Sequence, residues 1–152
     1  MDTNLCETKI DFNITYDGLL NDHKEYLRML DILEDNSSFI GITSGHELID
    51  LFKNDIIKEE KTDIWWGNAS SKEETIYFIK SSKELFNSLR KYETFCKMIF
   101  KDDGTFYNET TDFGISDIAF FDEKNKLLLY TVTHEGFISV DSMIDKFFKL
   151  ND

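Results

Sequence analysis

His134 and Glu135 are the residues of this sequence best suited to acid–base chemistry. A histidine beside a carboxylate at the end of a strand can act as a general base. The preceding segment is predicted to be extended, and neighbouring residues of a strand point to opposite faces. The two side chains can therefore cooperate only if the turn at Gly136 rotates one of them, and a polar strand exit is the preferred interpretation.

Motifs for nucleophilic, nucleotide-binding or metal chemistry are missing elsewhere. GxSxG, GxGxxG, GxxxxGKS/T and HExxH do not occur. Cys6 and Cys96 lack CxxC spacing and a basic local sequence. Acidic pairs such as Glu59–Glu60 lack the spacing of a calcium loop. We therefore predict no catalytic residue, no metal and no cofactor, and we expect a binding protein rather than an enzyme.

The charge of the chain is strongly acidic and unevenly distributed. The 152 residues carry 17 Lys and Arg against 30 Asp and Glu, a formal net charge of −13. Residues 1–60 hold 14 acidic and 5 basic side chains (−9), and residues 61–152 hold 16 and 12 (−4). Such a surface repels nucleic-acid phosphates and anionic lipid but attracts a basic protein. We predict a basic protein partner, and neither direct nucleic-acid binding nor membrane binding.

The candidate partner-binding residues are acidic side chains of the first two predicted helices and their connections, together with two consecutive tryptophans. Carboxylates near a helix C-terminus interact unfavourably with the helix dipole. Such carboxylates either have no function or are kept because a partner binds them. Two adjacent tryptophans of an extended segment cannot both face one core, so one is expected to be a partly exposed anchor. The alternative, in which one fills the core and the other covers it, stays open. The predicted contact residues are Asp31, Glu34, Asp35, Asp50, Asp55, Glu59, Glu60, Asp63, Trp65 and Trp66.

Hydrophobic periodicity predicts the elements that carry these residues. Alternating patterns predict strands over residues 9–16, 39–43 and 75–80, a hairpin of residues 116–122 and 127–134, and a short strand over 137–140. Helical periodicity predicts helices over residues 19–34, from a capping box at Ser44–Glu47 through 57, from a second box at Ser81–Glu84 through 99, and after Asp141. The charged residues 58–63 are predicted to be a connection.

Together these elements predict one compact α+β domain over residues 1–152. Its sheet is expected to be mainly antiparallel, with a hairpin in the C-terminal half, packed against three to four helices. The N-terminal residues lack the basic and apolar regions of a secretory signal, and no apolar stretch reaches membrane-spanning length. We therefore expect a cytoplasmic protein.

A family resemblance follows from this overall character. A small, acidic, cysteine-poor α+β chain without a catalytic motif, with the hairpin segment SDIAFFDEKNKLLLYTVTHEGFISV, resembles the immunity proteins of bacterial polymorphic-toxin systems, including contact-dependent growth inhibition. The resemblance implies a protein that binds a cognate toxin domain, often a basic nuclease, and blocks its active site or substrate groove. Two alternatives stay open: a nucleic-acid mimic that inhibits a DNA-binding protein, and a small enzyme or ligand-binding domain that uses His134 and nearby carboxylates.

Overall fold

A computed structural model describes residues 4–10, 13–16, 22–109 and 111–150 of the chain, and it confirms the predicted α+β class. The strands are β1 (Asn13–Tyr16), β2 (Phe39–Thr43), β3 (Ile56–Trp65), β4 (Asn68–Lys80), β5 (Lys97–Phe100), β6 (Phe106–Glu109), β7 (Ile118–Phe121), β8 (Leu127–Val132) and β9 (Phe137–Asp141). The helices are α1 (His23–Asn36), α2 (Glu47–Leu51), α3 (Lys83–Arg90) and α4 (Ser142–Leu150), with short 3-10 turns at Leu5–Glu7, Lys53–Asp55 and Thr133–Glu135.

Seven of the strands form one antiparallel sheet in the order β1-β9-β8-β7-β2-β4-β3. Strands β5 and β6 pair separately as a two-stranded sheet. The predicted C-terminal hairpin is confirmed as β7–β8, which lies in the middle of the large sheet. Strand β3 is an outer edge of that sheet, and among the described residues no strand lies along the other side of its backbone.

Two apolar clusters cover the two faces of the large sheet, because successive side chains of a strand point to opposite sides. In β2, Ile40 packs into the larger cluster and the neighbouring Phe39 into the smaller one. The larger cluster includes side chains of α1, α3 and α4. The smaller cluster includes the N-terminal segment around Cys6 and both tryptophans. No helix within the described ranges has the length and apolarity needed to cross a bilayer.

The segment predicted as a charged connection, residues 58–63, is the middle of β3, so that prediction was wrong. Ile56 and Ile57, predicted at the end of the second helix, begin this strand, and α2 ends at Leu51. Beyond Ile57 and up to Asp63, exposed and half-buried residues alternate along the strand. At the edge of a sheet even the more buried positions of a strand are partly in solvent, so charged side chains are tolerated there. The sequence of β3 therefore lacks the apolar alternation from which strands are predicted.

The predicted capping boxes were also wrong in detail, because other side chains make the capping contacts. The Nδ1 atom of His46 accepts from the Leu48 N–H (3.1 Å), while the Ser44 hydroxyl donates to Glu74 instead. At α3 the cap is Ser82, and the helix ends at Arg90, well before residue 99. Asp141 does cap α4 as predicted, accepting from the Met143 N–H at 3.0 Å.

Candidate protein-binding surface

The acidic residues of α1 are partly neutralised inside the molecule. Arg90, at the end of α3, donates to Asp31 at 2.9 Å and also to Glu34. Asp35 is exposed, and its side chain has no partner in the described part of the chain. Much of the negative charge of α1 therefore balances a basic residue of the neighbouring helix, and less of it is available to a partner than the sequence suggests.

Four other predicted contact residues lie on the edge strand β3 and on the segment that leads into it, and their charges are unpaired. Asp50 lies on α2, Asp55 in the following 3-10 turn, and Glu59 and Asp63 on β3. All four are exposed, and within the described ranges none has a side-chain hydrogen bond or ion pair. These positions differ from Asp31 and Glu34 in that no arginine or lysine holds their carboxylates.

Three large apolar side chains are exposed among these carboxylates. Leu51 is 63% exposed, Ile57 55% and Ile64 49%. Exposed apolar side chains rimmed by charged residues are typical of protein-binding sites, whereas single exposed apolar residues are common everywhere. We call this group of positions the edge surface, and its members are Asp50, Leu51, Asp55, Ile57, Glu59, Asp63 and Ile64.

Tyr77 of β4 joins the two parts of the edge surface. It is the cross-strand partner of Glu59 and therefore shares a sheet face with it. It also lines a groove of about 390 Å³ together with Ile49 and Asp50 of α2. The carboxylates of α2 and β3 thus adjoin one side chain, although Glu59 lies 9 positions after Asp50 in the sequence.

Glu60, also predicted as a contact residue, has a structural role. Its carboxylate accepts from the backbone N–H groups of Leu5 (3.0 Å) and Cys6 (3.2 Å), and it forms an ion pair with Lys58 at 3.1 Å. Burial raises the pKa of Glu60, but the hydrogen bonds from Cys6, Lys58 and Leu5 more than offset this, so the pKa lies below its usual value. Because successive strand residues face opposite ways, Glu60 holds the N-terminal segment while Glu59 faces solvent.

We expect Glu60→Gln to lower the free energy of unfolding by about 1–2 kcal/mol, because the substitution weakens two charge-assisted hydrogen bonds to backbone donors. The matched variant Glu59→Gln, one position away, should change it by less than about 0.5 kcal/mol. Urea unfolding at neutral and acidic pH measures both. Since the pKa of Glu60 is lowered in the folded state, its stabilising contribution is present above pH 4.5 and is lost as the pH falls below that value. Equal losses in the two variants at neutral pH would contradict the structural role.

Both tryptophans are buried, so the expectation of a partly exposed anchor was wrong. Trp65 is 7% exposed and Trp66 1%. Trp66 (φ 51°) and Gly67 (φ 89°) form the two-residue turn between β3 and β4. Because the chain reverses there, the strand alternation that would separate neighbouring side chains ends at Trp65, and both rings enter the smaller cluster. The tryptophans support the hairpin that carries the edge surface and are not free to contact a partner.

Asp117 is a buried carboxylate that sequence reasoning missed. It is 3% exposed and accepts from the Trp65 indole N–H (2.9 Å) and the Thr133 backbone N–H (2.8 Å). Its own backbone N–H donates to the Thr43 hydroxyl at 3.0 Å. Burial raises the pKa of Asp117 above its usual value. The only sequence signal was a carboxylate directly before the apolar run IAFF, which does not reveal that a distant indole needs an acceptor.

His134 and Glu135 lie closer together than strand alternation predicts. Residues Thr133–Glu135 form a 3-10 turn closed by Gly136 in the left-handed conformation (φ 69°). This turn rotates the pair, so that His134 Nε2 lies 3.7 Å from Glu135 Oε1. Their side chains are 61% and 67% exposed, a position open to water rather than the desolvated site in which general bases are usually tuned.

Among the described residues, no group of three or more His, Cys, Asp or Glu side chains is arranged to hold a metal ion. Comparisons of the chain with protein-family models, with curated proteins and with solved structures find no match. The geometry of the edge surface is therefore the basis for a functional proposal.

Proposed function

We propose that this chain is a non-enzymatic, cytoplasmic immunity protein that binds and neutralises a cognate bacterial toxin, specifically a basic nuclease domain. The observation that carries the proposal is the edge surface, in which four unpaired carboxylates and three exposed apolar side chains lie on β3 and on the segment that leads into it. The ion pairs with Arg90 partly neutralise Asp31 and Glu34, whereas the carboxylates of the edge surface form no such pair among the described residues. Exposed Lys53 and Lys61 lie in the same segments, so the edge surface is acidic on balance, and its four carboxylates are complementary to the lysines and arginines with which a nuclease binds phosphates.

In the proposed complex the carboxylates of the edge surface occupy phosphate-binding positions of the toxin. The charges accelerate the encounter, and the buried apolar side chains and their close packing slow dissociation. Leu51, Ile57 and Ile64 supply apolar contacts along this surface. Blocking the substrate groove in this way requires no chemical step by the immunity protein.

Recognition is proposed to use side chains rather than the addition of a toxin strand to β3. An edge strand that accepts another strand is usually long, regular and weakly charged. Strand β3 has register irregularities between Ile56 and Lys58 and between Thr62 and Ile64. It also carries charged side chains at most of its central positions, which disfavours pairing with another edge.

Co-expression with a nuclease toxin domain encoded next to this gene, the partner that the proposal requires, tests the proposal. The wild-type chain should restore growth, and a variant of the edge surface (Asp50→Asn, Asp55→Asn, Glu59→Gln, Asp63→Asn) should lose protection because it removes four complementary charges. A control variant with the same net charge carries Glu84→Gln, Asp102→Asn, Glu123→Gln and Glu135→Gln, all at exposed positions elsewhere. It should protect as the wild type does.

Failure of the wild-type chain to protect or to form a complex with the toxin would overturn the immunity role. Protection that is lost equally in both four-residue variants would show that only net charge matters and would overturn the assignment to the edge surface. Comparable amounts of soluble, folded variant, verified by circular dichroism, make the growth results comparable.

A further inference from the structure

His46 joins three parts of the chain that surround the N-terminus of α2. It is 6% exposed, and its ring stacks on Phe113 (centroids 5.3 Å apart, 24° between planes) and meets Tyr92 edge-on (5.6 Å, 78°). Phe113 belongs to the loop of residues 111–116, and Tyr92 follows α3. The ring therefore lies between α2, this loop and the segment after α3.

The hydrogen bonds of His46 specify its neutral form. Nδ1 must be an acceptor, because the group that faces it at 3.1 Å is the Leu48 backbone N–H. Nε2 must carry the proton, because its partner at 3.0 Å is the backbone carbonyl of Asp112, which can only accept. Protonation of Nδ1 would set two N–H groups against each other and would remove the cap of α2.

The groups around the ring have opposing effects on its charge. Burial lowers the pKa of His46, while the Asp112 carbonyl and the carboxylates of Glu47 and Asp112 raise it, and the net direction is downward. Glu47 also accepts a hydrogen bond from the Tyr92 hydroxyl (2.6 Å), and Asp112 accepts from the Glu93 backbone N–H (3.1 Å). The groove beside His46 is also lined by Asp50 of α2 and by Tyr77 of β4.

We propose that His46 is a pH-sensitive latch: its neutral ring fastens α2 to the loop of residues 111–116, and its protonation releases both. The open form accepts the proton more readily than the closed form, because the closed form has a donor, Leu48 N–H, where the new proton must go. Acidification therefore shifts the population toward the open form.

The latch regulates the edge surface, and this consequence rests on the proposed function. Asp50 and Leu51 belong to α2, which His46 caps and holds against the body of the molecule. Opening the latch moves two members of the edge surface away from those on β3. Binding of a basic partner should then weaken below neutral pH.

Amide hydrogen exchange of the free protein tests the latch independently of any partner. Below the ordinary histidine pKa of about 6.5, the opening equilibrium reported by the Leu48 and Gly114 amides should rise up to about tenfold per pH unit, after correction for intrinsic exchange. The amide of Phe120 in the central strand β7 should not show this rise. His46→Asn keeps a side-chain cap but cannot titrate, so its opening equilibrium should be independent of pH.

A nitrogen-15 NMR titration of the wild-type ring provides a second measurement that needs no variant. The latch predicts the Nε2–H tautomer at neutral pH and a titration midpoint below 6.5. A ring that titrates at or above 6.5, or an exchange profile that is the same in the wild type and in His46→Asn, would overturn the latch. Neither result bears on whether the edge surface binds a toxin.

Discussion

Replacing Trp66 with alanine is expected to lower the free energy of unfolding by about 3–5 kcal/mol, the usual cost of removing a buried tryptophan. The ring is 1% exposed and packs near Phe121, with ring centroids 6.4 Å apart. It also lies over Gly41, where an added Cβ would come within 3.1 Å of it and 2.8 Å of Phe78. Alanine cannot fill this space, so a cavity remains between the hairpin turn and the sheet. Urea unfolding followed by circular dichroism measures the loss.

Ile64→Ala is the matched control for Trp66→Ala, since Ile64 lies two positions earlier in the same hairpin but is 49% exposed. We expect it to change the free energy of unfolding by less than about 1 kcal/mol. A loss below about 1 kcal/mol for Trp66→Ala would show that the tryptophan is not part of the core. It would then again be a candidate anchor for a partner.

Replacing Asp117 with alanine is expected to lower the free energy of unfolding by about 2–4 kcal/mol at neutral pH. The variant leaves two buried donors, the Trp65 indole N–H and the Thr133 backbone N–H, without their acceptor. The exposed residue Asp50 offers a control, because Asp50→Ala removes a carboxylate that has no partner in the described structure. Thermal or urea unfolding of both variants gives the comparison.

A double-mutant cycle tests whether the effect of Asp117 acts through Trp65. Trp65→Phe removes the indole donor, so the double variant should be more stable than the sum of the single losses predicts, by about 0.5–3 kcal/mol. Strict additivity would contradict a direct link between the two side chains.

The effect of Asp117→Ala should also depend on pH. Because the pKa of Asp117 is raised in the folded state, the native protein binds a proton at Asp117 more tightly than the unfolded chain. The difference in the free energy of unfolding between wild type and Asp117→Ala should therefore widen as the pH falls toward 3.8.

The sequence correctly predicts those helices and strands whose residues are buried along almost the whole element. Residues 39–43 are predicted and observed as a strand because all five residues are buried. The β7–β8 hairpin is predicted for the same reason, and its connecting turn is polar. Local periodicity is sufficient in these segments because burial is set by the central position in the sheet.

Strand β3 and the ends of α2 and α3 could not be predicted from periodicity, because contacts with distant residues decide them. Lys58 and Glu60 are polar residues in strand positions, and Glu60 is held there by the backbone of residues 5 and 6. Ile56 continues the helical spacing of α2 but pairs with Ile79 in β4. Tertiary pairing overrides the local pattern at such positions.

The candidate surface was predicted in part. The net charge directs attention to acidic residues. The sequence does not show that Arg90 forms ion pairs with Asp31 and Glu34, while Asp50, Asp55 and Glu59 have none in the described structure. That division depends on α1 packing beside α3. The apolar members of the edge surface were missed. Residues 47–65 change from helix to strand, so neither a helical nor an alternating pattern applied to the whole segment identifies its exposed leucine and isoleucines.

The most direct test of the edge surface is the association rate constant with the purified toxin domain at low and at high ionic strength. Electrostatic steering by this surface predicts fast association of the wild type at low salt, at least about tenfold slower association of the four-residue edge variant, and a control variant close to the wild type. Raising the salt should bring the three rates together. Equal association rates for the edge variant and the control variant at low salt would contradict the proposal that this surface receives the toxin.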